Sequence, residues 1–459
     1  MIKKSALEIG IGFIVLKILY IITIALMLPD KYLIWSFDKK VDLALILIEL
    51  IPFTICLFLY LKLYEGHVFI SFFSTIVFMM TFIPSNSVLS LSRYNLKYYV
   101  LTQVYYILFF EGLLFLGNKK LRFNKGKNNA EALCHNKQFQ NSIHVGMIVI
   151  CMILITYVYM YNRLDFGVLF GANNMYEVRA KYAEYIAKNT GRAASYLYII
   201  ISNLYSWFMP IFFYYALVWR KKFDIALCLF TYTAYFTMTM QKGILMMIPV
   251  IFIIVFLQQH MGYKKLLRVS VKAFIGMFIV ALIEYLIRGK SLIFELIIRR
   301  EFYIPSYMCE KYYSFFSVNP KEWFTHDAFI LQNITQKLLG NYYSSGATTV
   351  ISQQCFGGIL PSPNTGFFAE AYTQCGEIGI LIFPIIVCFI IGIIEKIANW
   401  YGKGVVLVVL VKLYLAMNST FLLTSLSIIG IIQFIGITWF IKKIWKQGNK
   451  NRVTQIEKR

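Results

Sequence analysis

The apolar residues of this chain come in long runs that short polar segments separate. Runs such as Ile143 to Tyr161 and Val405 to Leu423 fall in the range of about 17–25 residues, and a helix of that length crosses about 30 Å of hydrocarbon. Buried helices of water-soluble proteins are seldom so long. The pattern predicts an all-α polytopic membrane protein. Its predicted transmembrane helices, about twelve, lie at 8–28, 42–63, 67–83, 98–117, 143–162, 194–218, 223–240, 243–258, 269–287, 367–395, 404–423 and 426–441.

The polar segments between the runs predict the orientation, because cytoplasmic loops are enriched in Lys and Arg. With a cytoplasmic amino terminus, the basic groups at 119–127, 220–222, 264–268 and 442–446 all fall inside. Both termini are then cytoplasmic. The predicted organisation is helices 1–5 (1–162) with a basic cytoplasmic loop at 118–142, an outer loop at 163–193, helices 6–9 (194–287), a large outer loop at 288–366, helices 10–12 (367–441) and a basic cytoplasmic tail at 442–459.

The outer loop at 288–366 is longer than a connector between adjacent helices needs, and long ordered connections usually carry function. Within it, Leu292 to Phe302 has the amphipathic pattern of a helix lying on the membrane surface. The stretch from Gly340 to Gly366 is rich in Gly, Ser, Thr, Asn and Pro and is predicted to be irregular. The loop is therefore expected to be partly helical.

Composition narrows the possible functions. Hydrophobic residues make up 59% of the chain and charged residues 15%, although the formal net charge is +23. The basic residues lie in short groups between apolar runs rather than on one folded face, so nucleic-acid binding is not predicted. The eight cysteines have no metal-ligand spacing, and no nucleotide-binding loop is found. No metal or other cofactor is predicted.

Arginines on the predicted outer side indicate an anionic ligand there. The candidates for binding a diphosphate are Arg179, Arg288, Arg299 and Arg300, because the planar guanidinium donates paired hydrogen bonds to phosphate. Lys242, in the turn Gln241-Lys242-Gly243, is a further candidate near the membrane surface. For each of these side chains, the alternative is a plain contact with lipid headgroups.

Two residues are candidates for proton transfer. His326 lies in the large outer loop, where a neutral imidazole could take a proton from a sugar hydroxyl, tuned by Asp327 or Glu322. Glu370 lies near the predicted outer end of the tenth helix, and ionisable groups at membrane depth are functional candidates. The alternatives are a surface histidine without a catalytic role and a salt bridge between Glu370 and a loop arginine.

Three local motifs, together with the layout of spans and outer loops, resemble the Wzy-type O-antigen polymerases, or oligosaccharide repeat unit polymerases. The motifs are Tyr176-Glu177-Val178-Arg179-Ala180, the turn Gln241-Lys242-Gly243, and Pro361-Ser362-Pro363-Asn364-Thr365-Gly366 leading to Glu370 and Gly376-Glu377-Ile378-Gly379. Relatives often carry arginine in the turn where this chain has Lys242. The resemblance covers most of the chain at the level of layout.

The resemblance implies a GT-C-like arrangement and a glycosyltransferase in the bacterial inner membrane that needs neither metal nor nucleotide. A growing glycan on undecaprenyl diphosphate would be transferred to another lipid-linked repeat unit at the outer face. Arg179, other outer arginines and Lys242 would stabilise the departing diphosphate, and His326 or Glu370 would activate the acceptor hydroxyl. The implied partners are lipid-linked glycans, membrane lipids, and a chain-length regulator and flippase of the same pathway.

Other functions stay open at this point. An O-antigen ligase shares the layout and would use similar arginines and a histidine. A lipid-linked oligosaccharide flippase would concentrate charges around a central cavity and would not need so large an outer loop. A third alternative is an assembly partner without catalysis.

The predicted topology can be tested with a reporter enzyme that is active only outside the cytoplasm. We expect a fusion after Asn319 to be active and a fusion after Lys127 to be inactive, because Lys127 belongs to the basic loop at 118–142 that is predicted to be cytoplasmic. The reverse result would place the large loop on the wrong side for the proposed chemistry.

Overall fold

The computed structural model describes residues 4–28, 41–66, 68–91, 95–118, 137–161, 192–239, 242–261, 263–326, 332–358, 366–419, 434–436 and 438–439. These residues are predominantly helical, and no β-strand occurs among them. The helices are α1 Lys4–Met27, α2 Leu43–Gly66, α3 Val68–Val77, α4 Ile83–Asn86, α5 Val88–Leu91, α6 Leu96–Asn118, α7 Lys137–Tyr161, α8 Arg192–Val218, α9 Lys222–Thr239, α10 Lys242–His260, α11 Tyr263–Arg288, α12 Ile304–Val318, α13 Gln332–Leu339, α14 Ala347–Phe356, α15 Gly366–Tyr401 and α16 Lys403–Ser419.

Within these ranges, seven helices are long and apolar enough to cross a membrane. They are Lys4–Met27, Leu43–Glu65, Phe69–Asn86, Leu96–Gly117, Lys137–Val158, Lys264–Arg288 and Gly366–Tyr401. The prediction of an all-α membrane protein is therefore confirmed. Helices α8, α9, α10 and α16 coincide with further predicted spans, and 426–441 lies mostly outside the described residues. The count of twelve stays a prediction.

The chain divides into two compact units. The first comprises Met1–Phe123, Met261–Ile393 and Leu413–Thr424. Its aromatic core includes Phe13 of α1, which stacks on Phe78 with 4.3 Å between ring centroids. Gly12 lets α1 approach α11 closely, because a Cβ there would lie 2.6 Å from Val271 Cγ1.

A buried ion pair ties α1 to α2 inside the first unit. Lys17 Nζ lies 2.9 Å from Glu49 Oε2, and both side chains are at most 4% exposed. Lys17 also donates to Asn86 Oδ1, and the Ser90 backbone N–H donates to Glu49 Oε1 at 2.7 Å. Opposite charge and hydrogen bonds together offset the cost of burying these groups. Glu49, a charge inside a predicted span, thus has its partners within the protein.

The second unit comprises Asn124–His260, Ile394–Lys412 and Ser425–Arg459. Tyr205 of α8 stacks on Tyr235 of α9 with 4.2 Å between ring centroids. His144 Nδ1 lies 2.6 Å from Asp224 Oδ1, which joins α7 to α9. These contacts make the described helices of this unit a packed bundle of their own.

Residues predicted to form an amphipathic helix on the membrane surface pack one face into the first unit. The segment Phe294–Tyr303 is π-helical and runs without a break into α12. Its side chains Phe294, Ile298 and Phe302 are buried, and the Phe302 ring lies 5.3 Å from that of Phe278 in α11. One face of the segment is thus covered by protein, whereas Leu292 and Leu296 are exposed, and the predicted contact with the membrane surface stays a prediction.

The stretch from Gly340 to Gly366 was predicted to be irregular, yet it contains α14. The helix ends at Gly357, which has a φ of 55° and therefore the left-handed conformation that favours glycine. With α12 and α13, this helix makes the segment between α11 and α15 largely helical where it is described.

Helix α15 is two arms that fold back on each other. Gly376, with φ 61° and ψ −137°, interrupts the helical backbone between arm 366–375 and arm 377–401. Phe367 and Cys388 would lie about 30 Å apart on one straight helix. Both nevertheless contact Phe109 of α6: the two phenyl centroids are 6.2 Å apart, and the Cys388 thiol donates to the Phe109 carbonyl oxygen at 3.4 Å. The chain therefore reverses at Gly376.

Glycines allow the two arms to cross closely. A Cβ added to Gly379 would overlap the carbonyl oxygen of Ala371 in the other arm. At Gly376, a Cβ would lie 3.0 Å from Lys321 Cε, in addition to the strain of its positive φ. The predicted tenth helix is thus a hairpin with one short and one long arm.

We expect Gly376→Ala to lower the stability of the purified protein, since a side chain in this backbone conformation costs about 1–3 kcal/mol. Gly276→Ala is the matched control, because nothing lies within 4 Å of a Cβ at that position. Thermal unfolding in detergent measures both variants. Equal midpoints for the two would show that the reversal does not depend on Gly376.

Candidate functional site

The end of the short arm of α15 is joined to a turn of the chain at 320–326. The carbonyl groups of Thr373 and Gln374 cannot continue the helical ladder, because the chain reverses two residues later. The Glu322 N–H donates to the Thr373 oxygen at 3.0 Å, and the Trp323 N–H donates to the Gln374 oxygen at 3.3 Å. Two otherwise unpaired carbonyls are thereby satisfied, and the turn is held at the tip of the hairpin.

The Glu322 carboxylate links three segments of the first unit. Its side chain is fully buried. The Gln374 amide donates to Glu322 Oε2 at 2.9 Å, and the Ala347 backbone N–H donates to Glu322 Oε1 at 3.1 Å. Ala347 is the first residue of α14, so the carboxylate caps a helix N-terminus, where negative charge is favourable.

His326 lies beside this carboxylate. Its Nδ1 is 3.6 Å from Glu322 Oε1 and 3.1 Å from Thr325 Oγ1, and the side chain is 13% exposed. A separation of 3.6 Å exceeds the length of a hydrogen bond, so the ring and the carboxylate are neighbours without a direct bond. Both of these contacts involve Nδ1, so a proton transfer with a bound substrate would use Nε2.

The turn that carries these residues has a strained backbone. Trp323 and Phe324 have positive φ angles of 50° and 62°, which bulky residues rarely adopt. The strain is held by tertiary contacts: the Phe324 N–H donates to Gln374 Oε1 at 2.6 Å, and its ring stacks on Phe383. Strain of this kind is concentrated at functional sites.

Glu370 lies on the short arm, one helical turn before Gln374, and is only 3% exposed. It was expected near the outer end of a span, at the membrane entrance. The short arm packs against α6 and covers the residue with protein, within electrostatic reach of Tyr105 and Cys375; its position relative to the membrane stays a prediction. Tyr105 Oη and Thr373 Oγ1, both buried, have no hydrogen-bond partner in the described part of the chain.

The three predicted arginines at the end of α11 and in the π-helical segment each lie near a carboxylate. Arg288 is 3.6 Å from Glu284 Oε1, and Arg299 is 3.1 Å from Glu295 Oε2. Burial raises the pKa of Glu301, and the positive charge of Arg300 partly offsets that effect. These arginines therefore have acidic neighbours in sequence, and their predicted role towards a diphosphate stays a prediction.

Of the other two predicted diphosphate ligands, Arg179 lies outside the described residues, and Lys242 is the first residue of α10 in the second unit. Asp327, predicted as a possible partner of His326, also lies outside the described residues. The structure thus brings His326 and Glu322 together. Glu370 lies on the short arm, one helical turn before Gln374.

Sequence reasoning did not select Gln374 as a residue of the site. It holds Glu322 with its amide nitrogen and the Phe324 backbone with its amide oxygen. One signal was present: Glu370, Thr373 and Gln374 have the spacing of one helix face within an apolar run. Lys321 was also not selected; its ammonium donates to the Phe316 carbonyl at the end of α12.

We expect Glu322→Ala to destabilise the protein strongly, because the Ala347 N–H and the Gln374 amide would each lose a buried acceptor at about 1–3 kcal/mol. Glu295→Ala removes a partly exposed carboxylate that pairs with Arg299 and should cost under about 1 kcal/mol. Thermal unfolding midpoints compare the two variants. A smaller loss for Glu322→Ala than for Glu295→Ala would contradict the role of Glu322 as the link between segments.

Comparison with known proteins adds no assignment. No family model, no curated protein and no solved structure matches this chain. The proposal below therefore depends on the geometry of the site and on the resemblance in layout and motifs.

Proposed function

We propose that this chain is a polymerase that joins undecaprenyl-diphosphate-linked oligosaccharide repeat units into O-antigen or a related surface polysaccharide. The proposed setting is the outer face of the bacterial inner membrane, with twelve spans in a GT-C-like arrangement and both termini cytoplasmic. The observation that carries the proposal is the His326–Glu322 pair, held by Gln374 at the tip of the short arm that also bears Glu370.

In this proposal, His326 Nε2 accepts the proton of an acceptor sugar hydroxyl while the hydroxyl oxygen attacks the anomeric carbon of the donor glycan. The bond between that carbon and the diphosphate oxygen breaks, and the electron pair leaves with undecaprenyl diphosphate. The Glu322 carboxylate, 3.6 Å from Nδ1, stabilises the imidazolium that forms. No nucleotide is required, because the donor carries its own leaving group.

Glu370 is the second candidate for acceptor activation. The carboxylate is buried, and two buried hydroxyl groups near it, Tyr105 Oη and Thr373 Oγ1, lack partners among the described residues. Buried polar atoms are normally paired, so such positions are where a substrate hydroxyl or a water would bind. Glu370 is therefore proposed to bind the acceptor sugar, one helical turn from the Gln374 side chain that holds Glu322.

The diphosphate ligands proposed for this reaction are Arg179, Lys242, Arg288, Arg299 and Arg300. Positive charge near the diphosphate stabilises it as it departs. Lipid-linked glycans are the proposed partners, with a chain-length regulator and a flippase of the same pathway.

One observation favours the flippase alternative. The helical segment 68–91 is interrupted near Asn86 and Ser87, and broken helices at membrane depth are typical of transporters. However, the charges at this break, Lys17 and Glu49, are paired with each other at 2.9 Å. A large, largely helical segment between α11 and α15, which a flippase does not need, favours the polymerase.

A gel of surface polysaccharide from a deletion strain tests the function. We expect a single repeat unit on the acceptor in the deletion strain, and a full ladder when the wild-type gene is restored. Absence of any repeat on the acceptor would assign the chain to ligation or flipping instead, and an unchanged ladder would exclude all three.

The same strain tests His326. We expect His326→Ala to reduce long chains by about 10²-fold or more, as for loss of a general base, while the protein stays in the membrane at wild-type abundance. His260→Ala, which changes an exposed histidine at the end of α10, is the matched control and should restore the ladder. A full ladder with His326→Ala would remove His326 from the mechanism.

A further inference from the structure

A second charged cluster lies beside the hairpin tip, at the start of α6. Lys97 Nζ is 2.6 Å from Glu377 Oε1, in the first turn of the long arm of α15, and both side chains are more than half exposed. Lys321, from the turn at 320–326, lies beside the residue that precedes Glu377: its Cε is 3.0 Å from the position of a Cβ on Gly376. Its ammonium donates to the Phe316 carbonyl and lies 4.6 Å from the centre of the Tyr372 ring. Three segments far apart in the sequence thus bring two lysines to one carboxylate.

The charges in this cluster do not balance. Glu377 attracts both Lys97 and Lys321, and the two ammonium groups repel each other. Burial lowers the pKa of Lys321, Glu377 raises it, and Lys97 lowers it again. One carboxylate therefore faces two cations, and the cluster keeps a surplus positive charge.

Helix ends add to this positive potential. Asn95 caps α6, since its side chain accepts the Lys97 N–H at 2.8 Å and its carbonyl accepts the Tyr99 N–H. Lys97 is therefore in the first turn, where the helix dipole disfavours a cation. Arm 377–401 also begins here, after Gly376. Lys97 therefore occupies a position in α6 where the helix dipole would favour an acidic residue.

The location indicates which anion would bind. Leu96–Gly117 is apolar enough to cross a membrane. A helix that crosses begins near the lipid headgroups, and we place the start of α6 at that level. Tyr313 and Tyr372, whose ring centroids are 4.7 Å apart, border the cluster, and tyrosine is enriched at that level. Lysine binds phosphate groups as a point charge.

We propose that Lys97 and Lys321 form a binding site for the phosphate or diphosphate headgroup of a lipid, next to the His326–Glu322 pair. Two ammonium groups hold the anion; in its absence, Lys97 pairs with Glu377 and Lys321 donates to the Phe316 carbonyl. The identification of that lipid as the prenyl diphosphate carrier rests on the proposed function, whereas an ordinary anionic phospholipid would offer the same chemistry. The turn at 320–326 then supplies both a phosphate ligand and the base.

The test measures binding to the purified full-length protein in detergent by isothermal titration. The probes are farnesyl diphosphate, phosphatidylglycerol and uncharged farnesol. The variants Lys97→Met and Lys321→Met remove the charge and keep most of the side chain, so the packing of Lys321 against Tyr372 and Gly376 is preserved. Lys337→Met, on exposed α13, is the matched control.

We expect each of Lys97→Met and Lys321→Met to weaken binding of farnesyl diphosphate about tenfold, the usual effect of losing one charged hydrogen-bond donor. Lys337→Met should change it less than about twofold, and farnesol should not respond to any variant. If the lysine variants weaken the binding of phosphatidylglycerol as much as that of farnesyl diphosphate, the site binds lipid phosphate in general. Unchanged binding in both lysine variants, or an equal loss with Lys337→Met, would overturn the proposal.

His326→Ala separates this inference from the proposed function. The variant should bind farnesyl diphosphate as the wild type does and yet make no long polysaccharide. A lysine-dependent site in a protein whose deletion leaves the polysaccharide unchanged would keep the site and reject the polymerase. If deletion removes the ladder but neither lysine variant changes the binding of farnesyl diphosphate, the polymerase is kept and the lysine site is rejected.

Discussion

The reversal of the chain at Gly376 is the constraint on which the candidate site depends. A helix that ends inside a protein leaves carbonyl groups without partners, and a buried unpaired carbonyl is costly. Here the Glu322 and Trp323 N–H groups bind the carbonyls of Thr373 and Gln374. The short arm of α15 therefore needs the turn at 320–326, and the turn, with its positive φ angles, needs the arm. Neither segment would hold its conformation alone.

The side chains of the site follow from this backbone pairing. Once the Glu322 backbone is bound to the arm, its carboxylate meets the Gln374 amide and the first N–H of α14. The same carboxylate faces His326, and the preceding residue, Lys321, lies over the Tyr372 ring. The turn at 320–326 thus carries both the Lys321 ammonium and the His326 imidazole, which lies beside the Glu322 carboxylate. Preorganisation of this kind is what transfer between two bulky glycans needs, because the protein must supply the geometry that the substrates lack.

The sequence predicts the helices well and the hairpin poorly, for a physical reason. An apolar run such as 367–395 satisfies the same hydropathy pattern whether it crosses the membrane once or folds back at Gly376. Likewise, α14 was missed because Gly and Ser around it outweighed its local pattern, while its N-terminus is stabilised by Glu322 from elsewhere in the chain. The proximity of Glu322 to His326 was visible from their spacing of four residues. The approach of Lys97 to Lys321 was not, since only tertiary structure joins α6 to the turn.

The two interrupted helices of the first unit differ in a way that bears on function. At the break near Asn86, Lys17 and Glu49 neutralise each other, and Asn86 bonds both segments. At the break of α15, the buried Glu370 lies near hydroxyl groups that have no partner in the described ranges, and Lys321 and Lys97 share one carboxylate. The first break satisfies its own charges and so serves packing. The second leaves buried hydroxyl groups without partners among the described residues and two lysines beside one acidic residue, and the proposed displacement of a lipid diphosphate by a sugar hydroxyl relies on these features.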